Sequence, residues 1–149
     1  MPVPAIRPGA TLGLLGGGQL GRMFALEARR MGYRVHALDP GHDCPAGQVA
    51  DLEIRADYDD LYAAQVMARN VDVMTVEFEN IASETLEAVA KVCPMRPGAF
   101  VLHTVQHRIR EKRFLESKGF PVTPFREVNS LEDLQAAVAR VEEAEAALR

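Results

Sequence analysis

Residues 10–40 read ATLGLLGGGQLGRMFALEARRMGYRVHALDP, and this stretch decides the fold. Thr11 to Leu15 is a short apolar run ended by glycine, the pattern of a buried strand. Gly16, Gly18 and Gly21 then satisfy G-x-G-x-x-G. A helix is expected from about Gln19, with Leu20, Phe24, Ala28 and Met31 as its apolar stripe and Gly32 past its C-terminus. Arg34 to Leu38 reads as a second strand running into Asp39-Pro40. Glycines at a strand-to-helix turn let a phosphate approach the helix N-terminus. That phosphate can belong to a dinucleotide, to ATP or to a sugar phosphate, and the loop alone leaves the three open.

The pattern continues beyond the loop. GHDCPAGQVAD is rich in turn formers, and Leu52 to Arg55 reads as a short strand. Asp59 or Asp60 can cap a helix with the stripe Leu61, Ala64, Ala68 and Val71. Val71 to Val76 is a fourth strand leading into Glu77-Phe78-Glu79-Asn80. Ser83 can cap a further helix through Val92, and Pro94 to Pro97 is extended. Strands alternating with helices imply a parallel sheet covered on both faces, an α/β Rossmann-like unit. After Phe100 the character changes. Thr104 to Lys118 reads as a charged helix stopped by Gly119, FPVTPF as extended, and Ser130 with Asp133 as a capping-box-like start. The last helix has the stripe Leu131, Leu134, Val138, Val141 and Leu148. The division expected is 1–103 for the Rossmann-like domain and 104–149 for the start of a second, incomplete one.

The bulk numbers exclude some classes. The chain has 149 residues, 48% hydrophobic and 26% charged, with a formal net charge of -4. That balance suits a globular protein and argues against a nucleic-acid binder, which needs a basic face. No apolar run is long enough to span a bilayer, and the N-terminus lacks the layout of a secretion signal. The two cysteines, Cys44 and Cys93, make no disulfide framework and suit a reducing cytoplasm.

Among candidate site residues, Asp39 stands where a dinucleotide fold keeps its ribose-binding acid. Glu77 and Glu79 are two apart at the end of the fourth strand, which would place them on one face. Acids there suit a ligand with a phosphate at one end and an amine or hydroxyls at the other; a nicotinamide pocket has no need of them. One acid contacting only backbone amides is the plainer alternative. His103 and His107 have helical i, i+4 spacing, but no third metal ligand is in view, so no metal site is expected. His36 reads as a packed strand residue, His42 as a loop residue without a partner, and Cys44 as a thiol without a base.

GGGQLGRM, LDP, CPAGQVAD, DYDD and EFEN, in this order and spacing, resemble N5-carboxyaminoimidazole ribonucleotide synthetases, also called the ATPase subunit of phosphoribosylaminoimidazole carboxylase. QHRIREKRFLESKGFPVTPF continues the resemblance, which runs from about Gly9 to about Val138. It implies a Rossmann-like pre-ATP-grasp domain followed by the truncated start of an ATP-grasp domain. The reaction implied is ATP-dependent carboxylation of 5-aminoimidazole ribonucleotide with bicarbonate, in cytoplasmic purine synthesis, by a homodimer when full length. It implies that Gly18, Gln19, Leu20, Glu77 and Glu79 bind the ribonucleotide, Arg108 reaches ATP, and Asp39 shapes the loop. Mg2+ ligands and catalytic residues would lie beyond Arg149, so the chain alone is expected not to catalyse. Near the place of the family's first ATP-binding lysine this sequence reads VEEAEAALR, without the usual break. A glycinamide ribonucleotide transformylase-like ATP-grasp enzyme and an NAD-binding Rossmann module are the alternatives.

Overall fold

A computed structural model of the protein describes residues 5–147, with side chains described as far as residue 141. The chain divides into two compact units, Met1–His107 and Arg108–Arg149. The first contains β1 (Thr11–Leu15), α1 (Gln19–Arg30), β2 (Arg34–Asp39), β3 (Leu52–Arg55), α2 (Leu61–Ala68), β4 (Val73–Val76), α3 (Ser83–Ala90) and α4 (Ala99–Val105). The four strands form one parallel sheet in the order β3-β2-β1-β4. Met95 adds an isolated parallel bridge to Met74, placing the expected extended piece beside β4.

Both faces of the sheet are buried, as a parallel sheet requires. On one face Leu15, Leu38 and Met74 pack with Ala64 and Met67 of α2 and Leu86 and Val89 of α3. On the other, Leu14 and Ala37 pack with Ala46, and Val35 packs with Ala25 and Ala28 of α1.

Helix α1 has the expected limits but not the expected stripe. Of Leu20, Phe24, Ala28 and Met31 only Ala28 is buried; Leu20 is 65% and Met31 63% exposed. Gly21, Ala25 and Ala28 face the sheet instead. Two stripes at helical spacing compete here, and closeness decides. A Cβ on Gly21 would lie 2.9 Å from the Gly16 carbonyl oxygen and 3.0 Å from Leu14 Cδ2, so only small residues fit beneath this helix. Its end is a Schellman turn: Gly32, at φ 88°, donates to Arg29 O and Tyr33 N donates to Ala28 O.

Other boundaries shift for local reasons. Strand β4 begins at Val73 because Asp72 is occupied with Thr11, its carboxylate accepting from Thr11 N at 2.8 Å and its amide donating to Thr11 O at 2.8 Å. Asp60 caps α2 through Ala63 N at 2.9 Å. Leu61 of the expected α2 stripe is 44% exposed, and Met67 takes its place in the core. Val71 lies past the helix and packs against that core. Ser83 is the first residue of α3 rather than its cap; Ala82 is the cap, without a side-chain bond, and the helix ends at Ala90 rather than Val92. The charged helix expected over 104–118 is two helices, α4 and then α5 (Arg108–Ser117), broken at Gln106 and His107. Gln106 Nε2 donates to the carbonyls of Glu79 and Ile81 at 2.7 and 2.9 Å, fixing the end of α4 to the loop after β4.

In the second unit, α5 is followed by Gly119 at φ 76° and an extended segment up to α6 (Leu131–Ala147). Lys112 holds that segment, donating to Thr123 O at 3.0 Å and lying 5.3 Å from the Phe125 ring centre, and Arg113 pairs with Glu127. Ser130 Oγ accepts from Asp133 N at 3.0 Å while the Asp133 carboxylate accepts from Asn129 N at 3.1 Å, a capping box displaced by one residue. Leu131, Leu134, Val138 and Val141 are all exposed; Leu148 lies outside the described residues. Among the described residues no helix is long and apolar enough to cross a membrane.

Candidate functional site: the glycine loop and the strand ends beside it

From β1 the sheet extends through β2 and β3 on one side and to β4 on the other. The chain therefore switches direction between β1 and β4, and open α/β sheets receive ligands beyond the carboxyl ends of the strands at that point. The glycine loop follows β1 there, and Glu77 follows β4.

The loop is built around two acids. Gly16, at φ 115°, donates to Leu38 O at 3.0 Å. Gly17 N donates to Asp39 Oδ2 at 2.8 Å and Gly18 N to Glu77 Oε2 at 2.6 Å. The fit explains the glycine triplet. A Cβ on Gly16 would lie 2.6 Å from Glu77 Cβ, one on Gly17 2.7 Å from Asp39 Cβ, and one on Gly18 2.5 Å from Glu77 Oε1. The amides of Gln19, Leu20 and Gly21, in the first turn of α1, have no acceptor among the described residues; a helix start leaves such donors for a cap or a ligand. Gln19 and Leu20 are exposed. Beside them a pocket of about 160 Å³ is lined by Leu20, Gly21, Thr75 and Glu77 among others. A larger groove of about 540 Å³ lies elsewhere along α1, between Ile6, Met23 and Met31. It is apolar and lacks convergent polar groups, so the strand ends remain the candidate site.

Asp39 is fully engaged inside the protein. Besides Gly17 N it accepts from Gly41 N at 2.8 Å and from the Tyr58 hydroxyl at 2.5 Å. A dinucleotide site needs this carboxylate for ribose hydroxyls; here it shapes the loop. Glu77 and Glu79 do not share a strand face, because β4 ends at Val76 and the chain bends. Glu77 turns under the loop, half-buried, with Oε1 lacking a donor among the described residues. Glu79 is exposed and its carboxylate has no partner among them.

The histidines and thiols are placed without a site. His103 lies in α4 and His107 after it, so they do not share a helix, and no group of three or more His, Cys, Asp or Glu among the described residues could hold a metal. His36 is half-buried, its Nδ1 without a partner among the described residues, and burial holds its pKa below 6.5. Cys44 and Cys93 are free and buried, and burial pushes both thiols up. Arg108 opens α5 in the second unit and pairs with Glu111 at 2.6 Å, its side chain 73% exposed.

Three supporting residues carried no role in the sequence reading. Tyr58 reaches Asp39. Glu53 Oε1 accepts from Cys44 N at 2.8 Å, a bond that lowers its pKa. Arg22 donates to Pro45 O at 3.0 Å and to Gln48 at 2.7 Å, holding the loop after β2 against α1. Their partners are 9 to 26 residues away, beyond any helix or strand period; the trace in the sequence is that Arg22 and Tyr58 stand in the motifs GGGQLGRM and DYDD and Glu53 two residues after CPAGQVAD.

A family model described as "Ribonucleotide synthetase preATP-grasp domain" matches residues 9–106. The chain is 41% identical over 133 residues to N5-carboxyaminoimidazole ribonucleotide synthase of Staphylococcus epidermidis, covering 89% of this chain and 36% of that protein. Among solved structures it is similar to N5-carboxyaminoimidazole ribonucleotide synthetase in its ADP complex (TM-score 0.85, 47% identity, 91% of this chain and 36% of that one). It is also similar to the Staphylococcus aureus synthetase complexed with ADP (TM-score 0.83, 40% identity, 90% and 36%). The chain thus spans about 36% of the length of these relatives. With its parallel sheet, its glycine loop and a family match across about two thirds of its length, the chain belongs to the family of ribonucleotide synthetase pre-ATP-grasp domains.

Proposed function

We propose that the protein is the N-terminal portion of a 5-(carboxyamino)imidazole ribonucleotide synthase, and that its glycine loop seats 5-aminoimidazole ribonucleotide. One observation carries this reading. Gly17 and Gly18 give their amides to Asp39 and Glu77, while those of Gln19 and Leu20 stay open at the switch point of a sheet whose relatives are synthases of this class. The helix dipole behind these amides favours the 5′-phosphate, and the Gln19 side chain adds a polar contact. Glu79 and the open oxygen of Glu77 suit the donors of the substrate, its amine and hydroxyls.

In the complete enzyme ATP transfers its γ-phosphoryl group to bicarbonate, giving carboxyphosphate and ADP. The substrate's amino nitrogen bonds to the carboxyl carbon as the carbon–oxygen bond to phosphate breaks, and the amine proton leaves to a base. The contribution of this chain is to bind and orient the amine. Arg108 reaches ATP, where a guanidinium can fork onto phosphate; the ADP complexes of the similar synthetases support a nucleotide site in the family's longer chains. The described residues do not fit Mg2+, since they offer no acidic cluster, and no step here runs through it. The substrate domain, expected over 1–103, is taken to include the whole of α4 and so the first unit, to His107, with 108–149 the beginning of the ATP-grasp domain. The full enzyme is a cytoplasmic homodimer; two buried free thiols suit a reducing compartment.

The test is ribonucleotide- and bicarbonate-dependent ADP release. The chain alone shows none. The same 149 residues exchanged for the matching segment of the Staphylococcus epidermidis relative restore it. Turnover by the chain alone, or a folded chimera without activity, overturns the proposal.

A further inference from the structure

One side chain at the strand ends, Tyr58, takes no part in the proposed ligand contacts. Tyr58 stands after β3, and its hydroxyl donates to Asp39 Oδ2 at 2.5 Å. The same oxygen accepts from Gly17 N at 2.8 Å, so the phenol and the loop amide meet on one atom. The Tyr58 ring packs edge-on against Phe78, centres 5.1 Å apart at 71°, and Phe78 lies between Glu77 and Glu79. One residue thereby touches the strand ends of β2 and β4 and, through Asp39, the loop after β1. Burial first, then the Asp39 bond and charge, pushes the phenol far above its ordinary pKa, so the proton stays on the hydroxyl.

We infer that Tyr58 is a positioning residue for the glycine loop: it orients the Asp39 carboxylate so that Oδ2 receives Gly17 N, which sets the turn that presents Gln19 and Leu20. This rests on the reading of the loop as the seat of the ribonucleotide. The chemistry is that of a carboxylate with two oxygens to satisfy. Gly41 N holds Oδ1 at 2.8 Å, and Gly17 and Tyr58 share Oδ2. Without the hydroxyl, one amide is left to fix that oxygen, and the carboxylate can rotate away from Gly17. The loop lies close on this side: a Cβ on Gly17 would meet Asp39 Cγ at 2.8 Å, and the Gly17 amide is tied to the carboxylate it donates to at 2.8 Å.

The experiment compares the 149-residue chain with Tyr58→Phe, which removes the hydroxyl and keeps the ring against Phe78. Two readouts are taken, the amide resonance and hydrogen exchange of Gly17, and the affinity for 5-aminoimidazole ribonucleotide by calorimetry. In Tyr58→Phe the Gly17 amide moves upfield and exchanges faster by about tenfold, and affinity falls by about tenfold, the loss of one oriented hydrogen bond. Val89→Ala, a truncation of a side chain fully buried in α3, is the control; it lowers Tm and leaves both readouts unchanged. An unmoved Gly17 signal in Tyr58→Phe overturns the inference. So does wild-type affinity in that variant, or an equal loss in Val89→Ala, which would reduce the effect of Tyr58 to general stability. If the wild-type chain binds no ribonucleotide, the substrate reading fails by itself, and the Gly17 signal still decides whether Tyr58 sets the loop.

Discussion

Glu77→Ala and Glu77→Gln separate two jobs that one carboxylate can hold. In the structure Glu77 Oε2 accepts from the amide of Gly18, the N-cap residue of α1, at 2.6 Å, the bond a capping-box acid makes, although Glu77 comes from the segment after β4. Removing a cap of this kind costs about 1 kcal/mol, and stranding a half-buried amide costs about 1–3 kcal/mol. The two overlap, so Glu77→Ala is expected to lose about 2 kcal/mol. Glu77→Gln keeps an acceptor oxygen and loses the charge at the helix start, about 0.5–1 kcal/mol. With about 4–8 °C per kcal/mol for a domain near 100 residues, melting should drop by about 10 °C in Glu77→Ala and about 4 °C in Glu77→Gln. Glu79→Ala, two residues on, is exposed and has no partner among the described residues, and should stay within about 0.5 kcal/mol of wild type. Urea unfolding followed by circular dichroism, with melting curves, measures all three. Equal stability of Glu77→Ala and Glu79→Ala would refute the cap.

The remaining predictions concern the loop, the helix above it and the buried histidine. Gly17→Ala puts a Cβ 2.7 Å from Asp39 Cβ and should cost about 1–3 kcal/mol as overpacking; an unchanged urea midpoint would contradict the close fit. Met23→Lys, at a site 62% exposed, should change stability by no more than about 0.5 kcal/mol, whereas Ala25→Leu, at a fully buried site, should cost about 1–3 kcal/mol; the reverse order would mean that α1 faces the other way. His36 is held below its ordinary 6.5 by burial, so below that value the unfolded chain takes up a proton that the folded one resists, and stability drops as the pH drops. Urea midpoints at pH 7.5 and 5.5 should therefore separate more in wild type than in His36→Asn, and equal separations would remove His36 from the account.

The legible part of this protein is the part written in short-range rules. A glycine triplet after five strand residues placed β1 and α1, and Gly32 placed the helix end, because turn chemistry depends on neighbours. The parallel sheet followed from the alternation of strands and helices. What failed needed the third dimension. The apolar stripe through Leu20 and Met31 has sound helical spacing, yet the space under α1 admits only Gly21, Ala25 and Ala28. Glu77 and Glu79 looked like one pair of strand-end acids until a bend after Val76 separated them. Asp39 showed its position but not its partners, since the Tyr58 hydroxyl arrives from 19 residues away. The family motifs bridged part of that gap: DYDD and EFEN marked the stretches that meet at the loop, without saying which atoms do so.

The most direct measurement is calorimetric titration of the chain with 5-aminoimidazole ribonucleotide, with NAD as the competitor. The ribonucleotide should bind, its binding should be lost in Glu79→Ala, and NAD should give no heat. Binding of NAD, abolished by Asp39→Ala, would contradict this reading.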